Sequence, residues 1–106
     1  TSEVLRGLPP TFWVVGGQEV LMGEVAVTAQ RAAAAGNEVS LDVCDRMWHD
    51  FPMYSEGCGS GTTVWQAVAS LERTALFLSD VASTGHAPCA KAAIANAEMG
   101  KAITSW

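Results

Sequence analysis

The chain lacks the features that mark several broad classes of protein. No apolar run approaches the ~18 residues of a membrane-spanning helix, and the first residues lack the charged-then-apolar pattern of a signal peptide. Basic residues are scarce, with 6 against 11 acidic ones, and the net charge of −5 argues against contact with a nucleic-acid backbone. Only 16% of the 106 residues are charged and 49% are apolar, which excludes disorder over most of the length. We therefore expect one folded domain, or part of one, with no membrane span and no nucleic-acid partner.

Cysteine is also sparse. Cys44, Cys58 and Cys89 stand in no metal-ligand spacing, and no two histidines or cysteines are placed to bind zinc, so we predict no metal site. A disulfide between two of the three stays open, but so low a cysteine density favours reduced thiols and a cytoplasmic location. No glycine-rich loop followed by lysine provides a phosphate-binding site.

The first part of the chain alternates between strand and helix patterns. Residues 11–15 form an apolar, β-branched and aromatic run before a glycine pair, which predicts a strand buried on both faces. Apolar residues then recur at helical steps over residues 21–32, and Gly-Asn at 36–37 predicts a left-handed stop. Residues 39–43 alternate between apolar and polar, which is typical of a strand near a sheet edge with one wetter face. This order predicts a right-handed parallel crossover.

The rest of the chain is less regular. Residues 44–61 show no period and are interpreted as a long loop. Thr63 and Gln66 form a capping box that predicts a second helix. Its apolar seam consists of Val64, Val68, Leu71, Ala75 and Leu78.

The pattern of the second helix breaks after Asp80, and an alanine-rich helix is predicted from Cys89 to about Ile103. We therefore divide the chain into a strand–helix–strand–helix unit at residues 1–80 and an extra C-terminal helical tail at residues 81–106. The unit has too few helices to cover its first strand on both faces, and the chain begins at threonine. We expect the C-terminal part of a larger α/β protein.

Two side chains with catalytic chemistry follow the two predicted strands. Glu19 comes directly after the first strand, and His49 lies in the loop after the second. Because the carboxyl ends of parallel strands meet at one edge of a sheet, we expect both residues at that edge. A carboxylate there can accept the Nδ1–H of an imidazole and leave Nε2 to act as a general base. The alternative is a helix-dipole acid and an exposed loop histidine.

Four short stretches around these residues carry a resemblance to a known family. They are LPPT at 8–11, VGGQEVL at 15–21, AAGNEV at 34–39 and MWHDF at 47–51. In this order they resemble the C-terminal third of the hormone-sensitive-lipase-like esterases, over about Arg6 to Ser79. The fold class that this implies is α/β, a C-terminal fragment of an α/β-hydrolase fold with parallel strands and flanking helices.

The resemblance implies roles for individual residues. Glu19 matches the catalytic acid in the glycine turn, and His49 matches the catalytic histidine of the Met-Trp-His turn. Trp48 and Phe51 match a neighbourhood that lines the acyl or alcohol pocket, with packing of the loop onto the sheet as the alternative. The family implies a small-molecule ester substrate that is uncharged and has a short or medium acyl chain. It implies no metal and no organic cofactor.

The sequence also departs from the family pattern. Arg46 stands where a glycine is usual before the Met-Trp-His turn, and Asp50 follows the histidine where a small or apolar residue is common. Asp50 is expected to compete for the imidazole or to affect its protonation. Glu24 is the second candidate for the acid, although we expect it to point away from the histidine.

The nucleophile is missing from this pattern. No serine stands in a GxSxG elbow, and the nearest, Ser60, fits a flexible loop better. The HGGG oxyanion motif is also absent, and the family order places both elements upstream. We therefore predict part of a serine carboxylic-ester hydrolase (esterase or lipase) that is inactive by itself.

Two other functions stay open. The first is a non-catalytic α/β-hydrolase relative that acts as a ligand receptor or scaffold. The second is an independent small module that buries its sheet edges and helix faces in a homo-oligomer.

Overall fold

A computed structural model of the protein describes residues 3–57, 61–88 and 101–104. It contains strands and helices in the order β1 (Thr11–Gly16), α1 (Met22–Ala34), β2 (Val39–Cys44), a 3₁₀ turn (Phe51–Tyr54), α2 (Trp65–Thr84) and β3 (Lys101–Thr104). These strands form one sheet in the order β1-β2-β3, with β1 and β2 parallel and β3 antiparallel to β2. Two parallel strands and two helices agree with the predicted α/β class.

The elements β1, α1 and β2 form where the sequence predicts them, but β1 is not buried on both faces as predicted, because residues 11–14 are only half-buried. Thr11 is in register with Val39 and Gly16 with Cys44, so the two strands begin and end together. Helix α1 packs on one face of the sheet, where a core forms from Val15, Ala29, Ala32, Val39 and Leu41. The helix ends before Gly36, whose φ of +95° provides the predicted left-handed stop.

Strand β2 is buried, and the prediction of an edge strand with a wetter face was wrong. It lies between β1 and β3, and its two polar side chains, Ser40 and Asp42, are buried. The alternation of the sequence is real, but its polar face is turned toward α2 rather than toward solvent. An ionic partner on α2 makes this burial tolerable for the carboxylate.

That partner is Arg73. Its Nε donates to Oδ2 of Asp42 at 2.8 Å, Nη2 lies 2.7 Å from the same oxygen, and the Ser70 hydroxyl donates to it at 3.3 Å. Burial raises the pKa of the Asp42 carboxyl, and the bonds from Arg73 and Ser70 oppose that rise. The pair fixes how α2 is rotated against β2.

Helix α2 differs from its prediction on the face that it buries. Its sheet-facing side carries Ala67, Ser70, Arg73 and Phe77, all buried. The predicted seam is wrong, because Leu71 is 45% exposed and Leu78 is 60% exposed. The Asp42–Arg73 pair turns a mixed polar face inward and leaves the apolar stripe outside.

The ends of α2 also differ from their prediction. The capping box is wrong, since Val64 occupies the N-cap position without a side-chain hydrogen bond, and its N–H donates to the Tyr54 carbonyl at 3.1 Å. A backbone contact with the 3₁₀ turn therefore begins the helix. At the other end α2 runs four residues past Asp80 and stops at Gly85, whose φ is +77°. The predicted boundary at residue 80 falls inside this helix.

The loop and the tail contain structure that the sequence did not indicate. The stretch predicted as an irregular loop includes the 3₁₀ turn at Phe51–Tyr54. Residues 101–104 form β3, so the helix predicted to reach Ile103 is wrong at that end, where pairing along the β2 edge prevails over helix propensity. The rest of that predicted helix, at 89–100, lies outside the described residues, as do Cys58, Ser60 and Cys89.

Cys44 is present as a buried thiol, and burial raises its pKa. Of the helices in the described part of the chain, none has the length and apolar character to cross a bilayer.

Removing one member of the buried ion pair should be costly. We expect Arg73→Met to lower the free energy of unfolding by about 3–5 kcal/mol, because it leaves Asp42 buried without its counter-charge. Urea titration measures this, and Arg31→Met on the exposed side of α1 is the matched control, with a change of less than about 0.5 kcal/mol. The double variant Asp42→Val/Arg73→Met should recover much of the loss. Equal losses for Arg73→Met and Arg31→Met would contradict this account.

Candidate active site

The site lies where β1 and β2 end. Because Gly16 pairs with Cys44 in a parallel register, the turns that follow them leave the sheet side by side. Gly17 N–H donates to the Cys44 carbonyl at 2.8 Å, and Gln18 N–H donates to the Met47 carbonyl at 3.0 Å. Two backbone hydrogen bonds thus join the turn of residues 17–21 to the end of β2 and to the turn of residues 45–50 that follows it.

The close approach of these turns requires glycine at position 16. A Cβ there would collide with the carbonyl oxygen of Met47 and lie 2.6 Å from that of Trp48. Both neighbours are backbone atoms, so neither can move aside as a flexible side chain does. The absence of a side chain at Gly16 lets the second turn lie directly over the end of β1.

The two predicted catalytic residues are in contact at this edge. Nδ1 of His49 lies 3.3 Å from Oε1 of Glu19, while Oε2 of Glu19 accepts a hydrogen bond from Gly16 N–H at 2.9 Å. One oxygen of the carboxylate is thereby held by the strand, and the other is directed at the imidazole. The Glu19 side chain is 7% exposed and the His49 side chain is 61% exposed. When Nδ1–H donates to Glu19, Nε2 carries the lone pair on the accessible side. Their catalytic role stays a prediction.

The alternative acid does not take part in this contact. Glu24 lies in the first turn of α1 and is exposed, as expected for a residue one helical turn beyond the strand end. The structure therefore brings Glu19, and not Glu24, to His49.

The turn before His49 keeps a glycine-like backbone without glycine. Arg46 has a φ of +63°, in the left-handed region, at the position where the resembled family has glycine. Arginine at this position keeps the turn, but a residue with a Cβ is strained in the left-handed conformation.

Asp50 also has a left-handed backbone, with a φ of +55°. Its Oδ2 lies 3.2 Å from Nε2 of His49, so the imidazole stands between two carboxylates, Glu19 at Nδ1 and Asp50 at Nε2. The expected competition of Asp50 for the imidazole thus has a geometric basis.

The two predicted substrate-contacting residues lie in different surroundings. Trp48 lines a shallow open pocket beside His49, and its ring meets that of Tyr54 edge-to-face with centroids 5.3 Å apart. Phe51 is buried in a core cluster with Cys44, Met47 and Ala67, which matches its packing alternative. The pocket is lined by Gln18, Glu19, Val20, Leu21, Trp48 and His49.

Sequence reasoning missed Val20 and Leu21 as pocket residues. Both are exposed although they are apolar, and they directly follow Glu19. Leu21 was predicted to begin the apolar face of the first helix, but it lies before α1 and is 43% exposed. An apolar pair between the turn after β1 and the helix was the signal that could have identified both residues. Within residues 3–57, 61–88 and 101–104, no three His, Cys, Asp or Glu residues are arranged to hold a metal ion.

Comparison with known proteins gives one match. A family model described as alpha/beta hydrolase fold matches residues 1–53, which hold the Glu19–His49 pair and all four resembling stretches. The match confirms the resemblance over those residues, but it stops short of Ser79, to which the resemblance was extended. No curated protein and no solved structure matches the chain.

A single methyl group added at Gly16 should disrupt the contact between the two turns. We expect Gly16→Ala to lower the free energy of unfolding by roughly 1–3 kcal/mol and to shift the NMR signals of residues 47–49, because the turns are forced apart. Gly23→Ala is the matched control: an added Cβ there meets nothing within 4 Å, and stability should stay level or rise by up to about 1 kcal/mol. A Gly16→Ala protein as stable as Gly23→Ala would refute the close approach.

The strain at Arg46 should be removable. We expect Arg46→Gly to raise the free energy of unfolding by about 0.5–1 kcal/mol, since release of the left-handed strain outweighs the added freedom of the unfolded chain. Arg46→Ala removes the same charged side chain but keeps Cβ, so it should bring no gain. If both variants were equally stabilised in urea titration, the backbone explanation would be wrong.

Proposed function

Because the chain belongs to the alpha/beta hydrolase fold family, we propose that it is part of a serine carboxylic-ester hydrolase and supplies two members of its catalytic triad. Glu19 is the acid and His49 is the base. The observation that supports this most directly is the 3.3 Å contact between Oε1 of Glu19 and Nδ1 of His49 at the carboxyl ends of two parallel strands.

In the first half of the reaction, the serine hydroxyl attacks the ester carbonyl carbon while Nε2 of His49 takes its proton. The imidazolium is stabilised by the carboxylate of Glu19, which is held in place by Gly16 N–H. The tetrahedral oxyanion then collapses, the bond to the alcohol oxygen breaks, and Nε2 gives its proton to that oxygen. The alcohol leaves and an acyl-serine remains.

In the second half, a water molecule attacks the acyl carbonyl and gives a proton to Nε2. Collapse of this second intermediate breaks the bond to the serine oxygen, which takes the proton back from Nε2. A carboxylic acid is released, and His49 and Glu19 return to their starting states.

The nucleophile has to come from elsewhere. None of the serines among the 106 residues lies in a GxSxG sequence, so we propose that the serine and the oxyanion donors belong to residues outside this sequence. On this proposal the strand–helix–strand–helix unit, predicted to end at residue 80 and extended by α2 to Thr84, is the C-terminal part of the catalytic domain, and the residues after it are an additional tail. Trp48 contacts the substrate, an ester with a short or medium acyl chain, and the chain alone is inactive.

Loss of His49 tests the proposal in the intact protein. We expect His49→Ala to lower kcat for 4-nitrophenyl butanoate by roughly 10³-fold or more, because general base and general acid are lost together. Near-normal hydrolysis by this variant would remove the mechanism. An intact protein that hydrolyses no ester would favour the non-catalytic relative.

His86 provides a matched control. Its Nδ1 lies 2.6 Å from Oε1 of Glu38, so it too pairs with a glutamate, but that glutamate precedes β2 and the pair lies at the opposite edge of the sheet. The N–H of Ala87 and the imidazole of His86 hold the pKa of Glu38 below its usual value. His86→Ala should leave kcat within about twofold, since Glu38 precedes β2 and the pair lies at the end of β2 away from His49.

A further inference from the structure

We propose that Asp50 makes this site prefer esters whose alcohol portion carries a positive charge. The inference rests on the proposed function, because it assigns a substrate class to the same site. It departs from the uncharged esters that the family resemblance implies.

The position of the Asp50 carboxylate supports it first. Oδ2 of Asp50 lies 3.2 Å from Nε2 of His49, the atom that gives its proton to the departing alcohol oxygen. That oxygen must therefore come within hydrogen-bond distance of Nε2, and the first atoms of the alcohol pass beside the carboxylate. Asp50 is 62% exposed, so a cation can reach it from solvent.

The backbone of Asp50 is held in a turn conformation, and its side chain stays free to move. Asp50 has φ +55° and ψ +26°, and its carbonyl accepts a hydrogen bond from Met53 N–H at 3.0 Å in the 3₁₀ turn. Aspartate and asparagine both tolerate this left-handed conformation better than most residues. Asparagine would therefore fit the backbone at position 50 as well as aspartate does, and the two residues differ there only in charge.

The surroundings of the imidazole also suit an alkylammonium group. Trp48 is partly exposed, lines the pocket with His49 and is fixed by its edge-to-face contact with Tyr54. An indole face attracts a cation that is close to its ring. The loop of residues 44–57 adds to this field, because it carries three acidic residues, Asp45, Asp50 and Glu56, against one arginine.

A cationic substrate also removes an obstacle. Without substrate, the Asp50 carboxylate occupies the position at Nε2 that the serine hydroxyl needs. An ammonium group that pairs with Asp50 draws the carboxylate away from Nε2, which is then available to accept the serine proton. The charge preference should therefore raise kcat as well as lower KM.

Two esters of the same acid test the inference in the intact protein: the choline ester and its uncharged isostere, the 3,3-dimethylbutyl ester. We expect kcat/KM to favour the choline ester by roughly tenfold at low salt, and the preference to shrink at high salt. Asp50→Asn keeps the backbone preference and the shape but removes the charge, so the ratio should fall to about 1–2. Glu56→Gln, which removes one charge from the same loop, should keep most of the preference.

The outcomes separate this inference from the proposed function. If both esters are hydrolysed at the same kcat/KM, or if Asp50→Asn keeps the preference, the charge inference is overturned and the esterase proposal stands. If neither ester is hydrolysed, the esterase proposal fails. The charge inference is then tested by titration with choline, in which binding is monitored through the NMR signal of the Trp48 indole N–H. Binding that Asp50→Asn abolishes supports the cation site, and binding that is absent or unchanged overturns it.

Discussion

The candidate site depends on how closely two backbone turns approach each other at the end of the sheet. The bare Cα of Gly16 allows the carbonyls of Met47 and Trp48 to lie over the end of β1, and a hydrogen bond from Gln18 N–H holds the Met47 carbonyl there. Gly16 also donates its N–H to Glu19. The same residue therefore positions the acid and admits the turn that carries the histidine. The pairing of carboxylate and imidazole in this site depends on that contact between two short segments.

The parts of the structure that sequence predicted are those decided by local pattern. The run at residues 11–15, the helical spacing after it and the stop at Gly36 each fix their own segment, so β1, α1 and β2 appear where expected. Parallel order then places Glu19 and His49 at the same edge without knowledge of any long-range contact. The family match covers this same region, in which short motifs and folding units coincide.

The parts that sequence missed depend on partners far away in the chain. Asp42 looked like a solvent-facing residue of an edge strand because nothing near it reveals Arg73, 31 residues later, as its buried partner. That pair also sets the rotation of α2, which is why the apolar stripe with Leu71 and Leu78 faces outward. Pairing of β3 with β2 is of the same kind. Amphipathic patterns show that a helix has a preferred face, but a buried charge pair can decide which face is used.

Helix α2 is fastened to β2 at two separated points, the buried Asp42–Arg73 pair and the exposed clasp of Glu38 with His86 and Ala87. The clasp lies on the edge of the sheet away from His49. Its share of the folding free energy is present above the ordinary carboxylate range and is lost as acid protonates Glu38, whose pKa is lowered by the clasp itself. Acidification below the ordinary carboxylate range, or tension applied through the tail, would therefore release the far end of the helix from β2. The buried Asp42–Arg73 pair would then keep the remainder of α2 on β2, so that opening at the His86 end of the helix would not extend to the end of the sheet that carries His49.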